Sequence, residues 1–108
     1  MRAFKNAKVI FPDKIRDCIE VTNEGKIIDI CENFDDNTAE IIDCGGMYLS
    51  PGFVDIHVNG GGNKSAMSEN YRDIIDMAEA HLKYGTTSIA PTTLAAPVDQ
   101  LKKVTLSI

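Results

Sequence analysis

The feature that most constrains this chain is the run Phe53-Val54-Asp55-Ile56-His57-Val58, which stops at Gly60-Gly61-Gly62. A mostly apolar run of this length, closed by glycines, predicts a strand covered on both faces, the pattern of a parallel sheet. A parallel partner can be reached only through a crossover, and the following residues supply one. Ser68 is a good N-cap, Tyr71, Ile74, Ile75, Ala78 and Leu82 share one face at helical spacing, and Gly85 offers a left-handed stop after Lys83-Tyr84. Thr86-Thr87-Ser88-Ile89-Ala90 predicts the second strand, closed by Pro91. Pro97 then opens a second helix at its first turn, where a missing N–H costs nothing, with Val98, Leu101, Val104 and Ile108 as its apolar stripe. That stripe reaches the last residue without a stop signal, so the expectation is a record cut inside an element of a larger α/β protein.

Before Met47 the pattern is one of short strands. Val9-Ile10-Phe11 runs into the turn Pro12-Asp13, Ile15, Asp17, Ile19 and Val21 alternate with Arg16, Cys18 and Glu20, and Asn23-Glu24-Gly25-Lys26 turns the chain into Ile27-Ile28-Asp29-Ile30. Residues 33–38 are polar and loop-like, the acidic stretch 32–36 reads as solvated, and Glu40-Ile41-Ile42-Asp43 resumes β character until Gly45-Gly46 breaks it. A meander of three or four strands cannot hide both of its faces, so it needs a second layer.

Composition removes several functions. Eleven Lys/Arg against sixteen Asp/Glu give a net charge of −5, and the only adjacent basic pair is Lys102-Lys103, too little to neutralise a nucleic-acid backbone. No apolar run approaches the roughly 20 residues needed to cross a bilayer, and Met1-Arg2-Ala3-Phe4-Lys5 lacks a signal-peptide core, so no membrane partner and a cytoplasmic location are expected. Cys18, Cys31 and Cys44 are odd in number and form no C-x-x-C pair, which points to reduced thiols. Their equal spacing could mark a metal triad, but each lies in an apolar-rich stretch where cysteine packs as a small hydrophobe.

The candidate chemistry lies at the end of the first buried strand. Residues i and i+2 of a strand point to the same side, so Asp55, His57 and Asn59 should share a face, with His57 and Asn59 emerging together at its C-terminal end. An imidazole and an amide oxygen there could coordinate a divalent cation or bind substrate, and the glycines would let backbone approach a ligand. Taken alone, a histidine near a strand end reads first as a hydrogen-bonded structural residue. Asp55, deeper on that face, would orient neighbours by hydrogen bonding. Thr92 and Thr93 would stand near the same mouth but read as ordinary loop formers after a proline. His81, on the outer helix, reads as a packing or surface residue.

Pro51-Gly52-Phe53-Val54-Asp55-Ile56-His57-Val58-Asn59 resembles the first barrel strand of the amidohydrolase superfamily, where Pro-Gly-x-x-Asp-x-His-x-His is the usual form. Within it, Asn59-Gly60-Gly61-Gly62 and Gly85-Thr86-Thr87-Ser88-Ile89-Ala90-Pro91-Thr92-Thr93-Leu94 resemble the N-acetylglucosamine-6-phosphate deacetylase family. The resemblance covers essentially the whole chain and implies an α/β architecture. Residues 1–50 would be strands of a small β-sandwich, and residues 51–108 the first two β/α units of a truncated (β/α)₈ barrel, a fold that takes about 250 residues when complete.

It also implies a zinc-like divalent metal ion, an amino-sugar phosphate substrate and a homodimer. The metal would polarise the acetamide carbonyl and activate water, a carboxylate would take and return the proton, and acetate would leave glucosamine 6-phosphate. His57 and Asn59 are the metal-site candidates within the chain. Asn59 stands where the superfamily has its second histidine, and an amide oxygen is the weaker ligand, so one metal is expected rather than two. The main ligands, an acidic residue and two histidines, together with the catalytic Asp and the Arg and His that hold the sugar phosphate, would follow residue 108, leaving this segment inactive alone.

The sequence leaves two other readings open: an amidohydrolase acting on a cyclic amide, like dihydroorotases or allantoinases, and a stand-alone β-rich module without catalysis. The downstream reading frame separates them. An acidic residue and two separated histidines are expected there, whereas a stop codon directly after Ile108 would favour the module.

Overall fold

The computed structural model describes all residues from Met1 to Ile108. Nine strands and two helices form two compact units, Met1–Pro51 and Gly52–Ile108.

In the first unit β1 (Arg2–Ile10), β2 (Ile15–Asn23), β3 (Lys26–Cys31), β4 (Glu40–Asp43) and β5 (Tyr48–Leu49) form one sheet. The antiparallel hairpins β1–β2 and β2–β3 follow the alternation seen in the sequence. Glu24 and Gly25 connect the latter pair with φ of 49° and 75°, the left-handed conformation that matches strand twist in a two-residue turn. The expected meander stops there, because β4 and β5 both run parallel to β1.

A bulge explains the departure. Between Phe4 and Ala7 β1 carries one residue more than β2, and Asn6 sits at φ 55°. β4 pairs with β1 before this kink and β5 after it. Gly45 and Gly46, with φ of 55° and 81°, turn the chain alongside, and the Gly46 amide donates to the Asn6 carbonyl at 2.7 Å. Asp43 fastens the junction by accepting from the Gly45 amide at 2.9 Å and the Asn6 side chain at 3.0 Å. These two bonds, the Gly45 one foremost, hold its carboxyl below the usual carboxylate range. Ala7, Val9, Cys18 and Cys44 form a buried cluster in this unit, with Phe4, Phe11 and Leu49 against them, Ala3 and Val21 are buried as well, and all three cysteines are free thiols.

The second unit contains β6 (Phe53–Val58), β7 (Gly60–Gly61), β8 (Lys64–Ser65), α1 (Tyr71–Leu82), β9 (Thr86–Pro91) and α2 (Val98–Thr105). β6 and β9 pair in parallel, with α1 in the crossover between them. Four local expectations are corrected. Asn70, not Ser68, caps α1, accepting from the Arg72 amide at 3.0 Å. Ser68 instead donates to Asp73 at 2.7 Å and accepts from the Asn70 amide, bracing the first turn from outside. The buried stripe of α1 is Ile74 and Met77, packed on Val58, Ala66 and Ile89, while Tyr71 and Leu82 are exposed. Pro97 is the N-cap of α2, in extended conformation, and that helix ends at Thr105 rather than running through Ile108. Hydroxyls close it: Thr105 donates to the Leu101 carbonyl at 3.0 Å and Ser107 to the Val104 carbonyl at 2.7 Å. No Gly, Asn or Pro marks that stop, which is why the stripe alone overran it.

The Gly60-Gly61-Gly62 run, read from the sequence as the end of a strand, begins a β-hairpin. Gly62 and Asn63 turn it with φ of 57° and 61°, so that β7 pairs with β8.

Phe53, Val54 and Ile56 are 63%, 68% and 80% exposed on a parallel pair with no further strand on either side. The isolated 108-residue chain should therefore show no sharp, reversible melt as a monomer. Scanning calorimetry with light scattering checks this, and a cooperative transition from a monodisperse monomer would contradict it.

Candidate functional site

The two sequence segments singled out above lie side by side. The Phe53 amide donates to the Gly85 carbonyl at 2.9 Å, Phe53, Val54, Asp55 and Val58 pair with Thr86, Ser88, Ile89 and Pro91, and the Thr92 amide donates to the Val58 carbonyl at 2.7 Å. Gly52 lies so close to Thr87 that a Cβ on it would overlap the threonine side chain. Sequence reasoning did not find this contact; its signal was a glycine before one strand and a β-branched residue early in its partner.

Between Asp55 and Val58 β6 advances three residues while β9 advances from Ile89 to Pro91, so β6 bulges at Ile56-His57. The half-buried Asp55 accepts the His57 amide at 3.0 Å. Its carboxylate thus holds the backbone of the bulge rather than orienting another side chain. The simple two-residue alternation that grouped Asp55, His57 and Asn59 does not carry through an inserted residue. The His57 side chain is exposed.

Asn59 follows the last residue of β6 and is half-buried. Its Nδ2 donates to the Thr92 carbonyl at 2.8 Å, and its own carbonyl accepts from the Ala66 amide at 2.9 Å. A carbonyl can only accept, so the nitrogen end of the amide must face Thr92. The hydroxyl of Thr92 turns back to the Ala90 carbonyl at 3.0 Å.

The glycine run serves packing. A Cβ on Gly60 would stand 2.7 Å from the Lys64 carbonyl oxygen, one on Gly61 2.5 Å from His81 Nε2, and one on Gly62 2.8 Å from the Ala80 Cβ. The close approach that glycine permits is therefore to β8 and α1, where a ligand had been the expectation. The half-buried His81 meets the Gly60 carbonyl at 3.1 Å through Nε2. On the far side of the hairpin Lys64 binds Asp73 at 2.6 Å, and the bonds from Lys64 and then Ser68 hold the Asp73 carboxyl below its usual range.

His57 and Asn59 supply one imidazole and one amide at the end of β6, and no group of three or more His, Cys, Asp or Glu side chains gathers anywhere in the chain to hold a metal. A zinc-like ion takes about four ligands, so the residues of this chain do not make a complete metal centre.

A glycine hairpin and a helix cross between two parallel strands, with a histidine near the end of the first, and a segment of this kind is similar to amidohydrolases, among them one from Thermotoga maritima that superposes with a TM-score of 0.64 at 29% identity, covering 86% of this chain and 30% of that one. No protein-family model matches the sequence. The chain is 35% identical over 65 residues to N-acetylglucosamine-6-phosphate deacetylase of Bos taurus, a match covering 57% of this chain and 16% of that enzyme. It is 39% identical over 61 residues to a dihydroorotase of Streptococcus thermophilus, covering 55% of this chain and 14% of the other. The crystal structure of N-acetylglucosamine-6-phosphate deacetylase from Pasteurella multocida superposes with a TM-score of 0.89 at 28% identity, covering 98% of this chain and 29% of that one. More particularly than to amidohydrolases at large, then, this chain is similar to the N-terminal portion of N-acetylglucosamine-6-phosphate deacetylases, and it spans less than a third of the relatives it matches.

Gly52→Ala should destabilise the gene product by about 1–3 kcal/mol, since Thr87 is stiff at χ1 and cannot turn aside freely. Adding Thr87→Ala should restore much of the loss. Denaturant midpoints of the single and double variants measure it; additive losses would show that the two residues do not meet.

Proposed function

We propose that this chain is the N-terminal part of a metal-dependent hydrolase that converts N-acetylglucosamine 6-phosphate to glucosamine 6-phosphate and acetate. The observation that carries the proposal is the superposition of 98% of the chain on the Pasteurella deacetylase. Residues 1–50 would belong to a β-sandwich and residues 51–108 would begin a (β/α)₈ barrel. The exposed apolar residues of β6 support this reading, because further barrel strands and helices would cover them.

In this reading His57 and Asn59 stand at the barrel mouth as supporting groups beside the metal. The main metal ligands, the proton-transferring carboxylate and the phosphate-binding side chains would be supplied from beyond residue 108. A cytoplasmic homodimer completes the proposal. The dihydroorotase match keeps a second reading in view, hydrolysis of a cyclic amide by the same scaffold.

Acetate release by the full-length gene product is the test. N-acetylglucosamine 6-phosphate should be deacetylated and dihydroorotate left intact, while the isolated 108-residue chain releases nothing. His57→Ala in the full-length product should cost roughly 10–100-fold in turnover with most metal retained. Cleavage of dihydroorotate alone would overturn the substrate, and complete metal loss in His57→Ala would refute the supporting role.

A further inference from the structure

We infer that the Asn59 amide is a latch that fixes the loop after β9 against the end of β6, making Asn59 a positioning residue rather than a metal ligand. The catalytic consequence rests on the deacetylase reading; the latch itself does not.

Three segments meet at this residue. Val58 and Asn59 grip Thr92 at both ends of its backbone: the Val58 carbonyl accepts its amide at 2.7 Å, and Asn59 Nδ2 donates to its carbonyl at 2.8 Å. Both bonds lie beyond Val58↔Pro91, the last register pair of the parallel strands, so they prolong the pairing into the loop. The Asn59 carbonyl meanwhile accepts from Ala66, next to β8, and the loop returns a contact to the same place through the Leu94 amide on Met67 Sδ at 3.1 Å. Strand end, hairpin exit and loop are thereby held as one piece.

The chemistry of the bond explains why an amide stands here. The Thr92 carbonyl needs a donor, which asparagine has and an ionised aspartate lacks, although aspartate is the better metal ligand. Latch and ligand therefore predict opposite outcomes for a near-isosteric change.

Asn59→Asp in the full-length gene product is the experiment, read by hydrogen exchange at the Thr92 amide and by metal analysis. At neutral pH the carboxylate faces the Thr92 carbonyl without a donor, and the protection factor of Thr92 should fall about tenfold, with metal content unchanged. Below the pKa of the new carboxyl the protonated acid can donate again, so protection, corrected for intrinsic exchange, should recover. Asn59→Ala should lose protection at every pH. Unchanged Thr92 protection in Asn59→Asp, a loss that persists in acid, or a gain of metal would overturn the latch. These readouts need no substrate, so they stand apart from the deacetylase assay. If that assay succeeds, both variants should also lower kcat.

Discussion

Parallel pairing of Phe53–Val58 with Thr86–Pro91 is the constraint on which the second unit depends. Parallel neighbours cannot be joined by a tight turn, so the chain between them must leave the sheet and return, and α1 is that return path. Once α1 lies against the pair through Ile74 and Met77, the segment before it has to pass under the helix closely. Gly61 against His81 and Gly62 against Ala80 meet that demand, and Gly52 meets a similar one against Thr87. Glycines that looked like room for a ligand are largely room for the protein itself.

Each unit carries two register shifts, and at one shift in each a carboxylate secures the inserted residue. In β1 the kink at Asn6 lets one strand serve two short parallel partners in succession, with Asp43 accepting from Gly45 and Asn6. In β6 the bulge frees the His57 amide, and Asp55 takes it. An N–H displaced from the ladder by a bulge loses its regular strand partner, so an acidic side chain two residues away is an effective local remedy. The bulge in β6 also sets the backbone from which His57 projects, and so links a packing irregularity to the proposed function.

What the chain contributes chemically is partial. Asn59 and the loop anchored at Thr92 meet at the end of β6 and β9, the His57 side chain is exposed on the bulge before them, and no cluster of three or more metal-ligating side chains forms. In the proposed enzyme this segment would shape and brace one sector of the mouth, while proton transfer and phosphate binding would be carried elsewhere. Asn59 fits that division, because its amide joins the end of β6 to the loop after β9 by donating to the Thr92 carbonyl.

Local patterns were enough to determine where β2, β3, β6 and β9 lie, that α1 must cross between parallel strands, and that Cys18 and Cys44 pack as hydrophobes. Apolar periodicity and glycine punctuation encode such features within a few residues of chain. Which residue caps α1 was decided by side-chain bonds that apolar periodicity does not show, Ser68 being taken up by Asp73 five residues on, while the stop of α2 and the buried stripe of α1 also depend on partners distant in sequence, Ser107 with the Ser68 carbonyl and Met77 with Val58. The same holds at the site. His57 and Asn59 could be picked out from the motif, but the bulge between Asp55 and Val58 and the bond from Asn59 to Thr92 depend on register against β9. Register is a property of two strands together, and a one-residue slip redirects every side chain after it, so only the folded pair could decide what those residues face.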